Sequence, residues 1–186
     1  MEITDLFDIG RIPSRQPFVH GSHNLNGQIE WYTPSEYIDA ARSVMGTIHI
    51  DPCTSELAQK TVKADSYYTI ETDGLSHPWF GTVWLNPPYT AKLITQFVDK
   101  LLGHMSNGEV SEAILLTHNN ADTKWFHKAA MQSKSVCFTR GRVRFYDEHG
   151  ISNSPTHGHV FMYFGPRKTR FEKSFRKYGW ICRGVK

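Results

Sequence analysis

The apolar positions along this chain change period several times, and each change marks an element. Regular pattern begins at Trp31-Tyr32-Thr33-Pro34-Ser35-Glu36, where Thr33 is placed to cap a helix, Pro34 suits its first position and Glu36 completes a capping box. That helix runs to about Met45 and stops at Gly46. A short β-prone strand follows over 47–51, then a second helix over 56–62 and a weak strand over 67–70. The run Thr82-Val83-Trp84-Leu85 reads as a strand, and 91–102 is helical in period, with Leu93, Ile94, Phe97, Val98 and Leu101 on one side. After a loop over 103–108, Ala113-Ile114-Leu115-Leu116-Thr117 has the unbroken apolar character of a buried parallel strand. A helix over 123–131 and strands over 135–139 and 159–164 follow, the last two separated by a loop over 147–158.

Strands alternating with helices, then a closing strand pair, predict an α/β fold with a mostly parallel sheet and an antiparallel closing strand. Residues 1–30 lack a sustained period and read as an N-terminal arm, partly disordered. The division expected is therefore an arm (1–30), a main domain (31–165) and a basic C-terminal extension (166–186).

Composition narrows the class. At 186 residues with 39% hydrophobic content the chain is one ordinary globular domain, and no apolar run reaches the ~20 residues of a membrane span. Cys53, Cys137 and Cys182 are odd in number and far apart, which argues against a disulfide framework and a zinc site. His157-Gly158-His159 has no acid or cysteine cluster beside it, so no metal is expected. The start Met1-Glu2-Ile3-Thr4-Asp5 lacks a signal-peptide pattern, so the reading is a cytosolic protein. The net charge of +3 is uneven: residues 165–186 carry eight basic residues and one acid, against a mildly acidic remainder. Such a tail suits a polyanion, or is a solvated helix face.

The chemistry concentrates at Asn86-Pro87-Pro88-Tyr89, directly after the strand over 82–85. Ligands of open α/β sheets bind at the carboxyl ends of the strands. There, an Asn oxygen and the Pro87 carbonyl can accept the two hydrogens of an exocyclic amine, while two prolines fix the backbone and withhold their own N–H groups. Tyr89 offers a face for a base taken out of the stack. The plain alternative is an Asn-Pro-Pro turn closing a strand. Asp51-Pro52-Cys53 places an acid at the end of the first strand.

An acid ending strand one, followed by this tetrapeptide ending a later strand, resembles the S-adenosylmethionine-dependent amino-methyltransferases that act on nucleic acid. More closely, the chain resembles the phage and prophage DNA N6-adenine methyltransferases described as Dam-like. The residues carrying the likeness include Trp31, Thr33-Pro34, Asp51-Pro52-Cys53, Asp65, Asp73-Gly74-Leu75, Trp79, Asn86-Pro87-Pro88-Tyr89, Asp122-Thr123-Lys124-Trp125 and Gly141-Arg142-Val143-Arg144-Phe145. The resemblance implies a Rossmann-like domain, S-adenosyl-L-methionine as cofactor and double-stranded DNA as partner. It implies catalytic roles for Asn86, Pro87, Pro88 and Tyr89, and cofactor binding by Trp31, Thr33, Pro34, Asp51 and Cys53. The glycine-rich loop that many such enzymes place after strand one is absent, which leaves Thr54 and Ser55 as substitute donors.

Asp65 is the candidate for the cofactor ribose, against a surface carboxylate, and Asp73 for its adenine, against an Asp-Gly turn. Arg140, Arg142 and Arg144 alternate, so in extended backbone they form a phosphate-contacting comb or a charged edge. Lys124 extends that track. His118 and Asn119 follow a strand on the same edge and are pocket candidates. Phe171, Phe175 and Tyr178 at i, i+4 and i+7 read as a core-packed helix face. Alternatives are N4-cytosine methylation, protein glutamine methylation, or a DNA-binding homologue without catalysis.

Overall fold

The computed structural model of the chain describes residues 32–147 and 155–184. Seven strands form one sheet in the order β2 (Ser66–Tyr67), β1 (Ile50–Asp51), β3 (Gly81–Leu85), β4 (Val110–His118), β6 (His159–Phe164), β5 (Ser135–Thr139) and β7 (Gly179–Arg183). The first four are mutually parallel, whereas β6 is antiparallel to β4 and β5, and β7 is antiparallel to β5. The α/β class and the parallel core match the expectation from periodicity. The antiparallel part is larger than one closing strand: β6 inserts between β4 and β5, and residues 179–183 add an outer strand.

Five helices cover the sheet: α1 (Ser35–Met45), α2 (Glu56–Val62), α3 (Ala91–Ser106), α4 (Lys124–Gln132) and α5 (Lys168–Phe175). On one face, Ile94, Phe97, Val98 and Leu101 of α3 and Trp125, Phe126 and Ala129 of α4 pack on Val83, Leu85, Leu115 and Met162. On the other, Ile38, Ala41 and Val44 of α1 and Phe171 and Phe175 of α5 pack on Trp84, Ile114, Leu116, Phe161 and Tyr163. Successive residues of β4 serve opposite faces, and both faces are covered. That is why its sequence reads as an unbroken apolar run.

Several boundaries differ from the periodic reading: β1 and β2 are shorter than the spans 47–51 and 67–70, and β4 is longer than 113–117. Helix α3 continues to Ser106, because Leu102 is buried and Met105 still packs on the core. The capping box at Thr33 does not form; Pro34 occupies the cap position of α1 and no side chain caps the helix. Residues 166–184 are built into the sheet. Phe171 and Phe175 are fully buried, and Glu172 of α5 accepts from Ser135 at 3.0 Å and pairs with Arg183 of β7 at 3.1 Å.

Candidate active site

Parallel strands deliver their carboxyl ends to one edge, and β1 and β3 are neighbours there, so Asp51 and Asn86 arrive side by side. Both line an open cleft, together with Tyr32, Thr33, Cys53, Thr54, Ser55, Ala58, Val62 and Trp84. Among the described residues the lining contains a single carboxylate, Asp51, and no lysine or arginine.

Asp51 is 2% exposed. Its Oδ2 accepts from Gln59 Nε2 at 2.8 Å, while its buried Oδ1 has no hydrogen-bond partner among the described residues. Burial pushes the carboxyl up to about 7, against the opposing pull of hydrogen bonding from its neighbours. Gln59 is held in turn: its Oε1 accepts from the Ala64 N–H at 2.9 Å and its Nε2 also reaches Thr54 Oγ1 at 3.2 Å. This orientation of the amide fixes which of its ends faces the acid. Cys53 sits between the two functional ends; burial and the Asp51 charge hold its thiol protonated.

At the other wall, Asn86 Nδ2 lies 3.3 Å from Thr33 Oγ1. The threonine that failed to cap α1 thus orients the amide, leaving Asn86 Oδ1 as a directed acceptor. In this conformation that oxygen receives the Tyr89 hydroxyl at 2.7 Å. Burial raises the Tyr89 phenol well above its ordinary range, so it stays a donor. The Tyr89 ring leans on His118 with centroids 4.0 Å apart, and His118 stacks on His157 at 4.8 Å. His159, opposite His118 across the β4–β6 ladder, is 2% exposed, and neither ring nitrogen has a hydrogen-bond partner among the described residues. Burial, then the His157 and Arg142 charges, lowers its pKa to about 4, so it is neutral.

The remaining candidates separate. Pro34 is buried at the entry of α1, and Trp31 lies outside the described residues. Asp65 is exposed and precedes β2, at the strand end opposite the cleft. Asp73 has φ 48° and caps its own turn, with Oδ1 accepting from the Leu75 N–H at 3.1 Å and Oδ2 from the Ser76 hydroxyl. A Cβ on the next residue, Gly74, would stand 1.9 Å from the Pro52 carbonyl oxygen, so this turn supports the Asp51-Pro52 loop from behind.

The arginine segment crosses the same edge. Gly141, at φ 79°, turns the chain after Arg140, and thereafter Arg142, Arg144 and Tyr146 are exposed while Val143 and Phe145 are buried. The segment is anchored at both ends: the Arg140 N–H donates to the Tyr178 carbonyl at 2.7 Å, and Tyr146 forms a two-bond antiparallel bridge with Tyr32 of the cleft. Lys124 is exposed at the first turn of α4. Gln59 is the contributor the sequence reading missed. It carries no charge and stands eight residues from the acid it holds, so no spacing rule marks it.

The fold and cleft define an α/β protein with a carboxylate and a directed amide at adjacent strand ends. The family model for DNA N-6-adenine-methyltransferase (Dam) matches residues 22–172. The chain belongs to that family and is a DNA N6-adenine methyltransferase. A search of individually curated proteins gives no match.

Proposed function

We propose that this protein uses S-adenosyl-L-methionine to methylate the N6 amine of an adenine swung out of double-stranded DNA, in a Rossmann-like arrangement. The observation that carries the reading is the placement of Asp51 and Asn86 on one cleft, at the ends of adjacent parallel strands.

The lining fits a cationic cofactor. Among the described residues, a buried carboxylate oxygen without a hydrogen-bond partner, in a cleft lined by no basic side chain, calls for a positive group. Asp51 would pair with the cofactor's ammonium, with Thr33, Cys53, Thr54 and Ser55 lining its site. When bound, the cofactor supplies an electrophilic methyl on a sulfonium centre.

Adenine N6 is a weak nucleophile because its lone pair is delocalised into the ring. Asn86 Oδ1 and the Pro87 carbonyl accept its two hydrogens, which favours a tetrahedral nitrogen with its lone pair free. Thr33, by holding Asn86 Nδ2, keeps the acceptor end of the amide towards the base. Asn86 need not be a base, since the product amine is acidic enough to lose its proton afterwards. Alignment of this kind contributes up to ~7–11 kcal/mol, and no covalent enzyme intermediate is needed. Extruding the base costs a few kcal/mol, which Tyr89 offsets in part by stacking. Arg140, Arg142, Arg144 and Lys124 contact phosphates along the same edge.

The test is incubation of the purified protein with unmethylated duplex and methyl-labelled cofactor, followed by digestion to nucleosides. Label in N6-methyladenosine that disappears in Asn86→Ala is the expected result. Label in N4-methylcytosine, or none with cofactor bound, overturns the substrate assignment.

A further inference from the structure

Among the described residues, Trp180 is the largest apolar side chain left open at the catalytic edge. It is 67% exposed, although its indole rests on Phe138 with centroids 5.4 Å apart. Single exposed apolar residues are common, so exposure by itself decides nothing. Its location does more. Strand β5 runs in the same direction as β3, and β7 returns from its carboxyl end, pairing Gly179 with Thr139 and Trp180 with Phe138. Trp180 therefore stands at the strand-end edge that carries Asn86.

Exposed arginines lie along the stretch between them, with the Glu36 and Asp39 carboxylates near its Lys177 end. Starting from Tyr32 in the cleft, the Tyr146 bridge leads to exposed Arg144 and Arg142, then to Arg140, whose N–H is bonded to the residue two before Trp180. Arg176 and Lys177 are exposed just before β7, and no acid occurs after Glu172. Arg183 is not part of this path, since Glu172 pairs with it. Strand β7 also lies beyond the residues 22–172 that the family model matches.

We propose that Trp180 is an outer DNA contact, on which a duplex lying along the strand-end edge rests when its target base occupies the Asn86 site. The inference depends on the DNA-methylating reading above. Its scale follows from the sheet. Four strand spacings separate β3 from β7 in the order β3-β4-β6-β5-β7. At ~4.8 Å each they span ~19 Å, which at ~3.4 Å per base step is five or six base pairs. The contact is one-sided, because on the other side of β3 the sheet continues only with the short strands β1 and then β2.

The experiment uses the full chain and duplexes with one target adenine and arms of three or nine base pairs on each side. Trp180→Ala is expected to weaken binding of the long-armed duplex about tenfold, with Trp180→Phe recovering most of it. Shortening one particular arm to three base pairs should weaken wild type equally and make wild type and Trp180→Ala indistinguishable. A loss of the same size on every duplex, or no loss on any, overturns the proposal. So does a loss that tracks dissociation of a dimer in sedimentation, which would make β7 a contact between copies. Thermal melts check that the variants fold. Asn86-dependent methylation of the short duplex, measured in parallel, reports the catalytic reading independently: its absence indicts that reading, whereas intact methylation with unchanged affinity of Trp180→Ala indicts this one.

Discussion

The Tyr89 hydroxyl donates to Asn86 Oδ1 at 2.7 Å, the oxygen that the catalytic reading assigns to the amine of the target base. The two demands compete for one acceptor, although a carbonyl oxygen has a second lone pair. Removing the hydroxyl and removing the ring should therefore act in opposite ways. Tyr89→Phe is expected to keep kcat/KM within a few-fold of wild type or raise it, because the acceptor is released and the ring retained. Tyr89→Ala should lose roughly 10–100-fold, the worth of one base–aromatic stack. Asn86→Ala should lose ~10²–10³-fold in kcat, as for other directed polar groups in a transition state. Steady-state kinetics on a fixed duplex decides; a Tyr89→Phe loss as large as that of Tyr89→Ala would show that the hydroxyl itself is needed.

Asp51 carries a pH signature with opposite signs for stability and for function. Its folded pKa, about 7, is raised above the unfolded value of 3.8. The group thus favours folding fully below pH ~4, and that contribution is lost as pH rises through 7. Asp51→Asn should stabilise the cofactor-free protein at pH 8, by on the order of 2–4 kcal/mol, and give no advantage at pH 4. Cofactor affinity should fall at least about 30-fold, as expected when one partner of a buried charge pair is removed. Denaturant melts at both pH values, with calorimetric titration of S-adenosylmethionine, measure the two effects; a variant less stable at pH 8 would contradict the assignment.

Gln59 should act through Asp51. A hydrogen bond to a charged group contributes ~1.5–3 kcal/mol, equivalent to about one to two pH units. In Gln59→Leu the carboxyl loses that support, so the midpoint above which cofactor binds should move up by about that amount. Gln59→Glu should shift it further by like-charge repulsion. The facing titratable groups lining the cleft are Cys53 and Tyr32, and neither is altered. If Gln59 merely stiffened the loop, affinity would fall by one factor at every pH with the midpoint unmoved.

His159 gives the protein an acid sensitivity of its own. Its pKa is lowered to about 4 from 6.5, so protonation favours the unfolded chain. The stabilising effect of keeping it neutral is complete above pH ~6.5 and is lost as pH falls towards 4, by ~3 kcal/mol in all. His159→Phe, placed against Phe145 at 5.2 Å, should lower that part of the acid loss in urea melts between pH 7 and pH 4.5. A slope identical to wild type would mean that water or another group satisfies the ring.

Much of this architecture was legible because local signals and global needs agreed. Gly46 ends α1 and the apolar run of β3 forms its strand, both as the sequence indicates, and β3 brings Asn86 to the strand end beside Asp51. The alternation of residues 142–146 was legible too, since Val143 and Phe145 are buried and Arg142 and Arg144 exposed. Gly141 broke it before Arg140, because its positive φ turns the chain. Strand β7 was hidden for a different reason. Its residues Gly179-Trp180-Ile181-Cys182-Arg183 show only one fully buried position, so no period-2 pattern announces them, and their basic surroundings read as a tail. The capping role of Thr33 failed because a partner 53 residues away, Asn86, took its hydroxyl.

The strand order also has a temporal reading. Strand β5 is made before β6, yet in the finished sheet it has no contact with β4 except through β6. As the chain grows from its N-terminal end, β4 can join β3 early, but its second edge stays open until residues 159–164 arrive. That edge presents Ile114, Leu115 and Leu116, the kind of long apolar strand that pairs indiscriminately when uncovered. Until residues 159–164 are in place, the chain is a half-sheet with an adhesive margin and an unanchored β5. For this protein, the interval of greatest exposure to chaperones and to aggregation is set by the order in which its strands are synthesised.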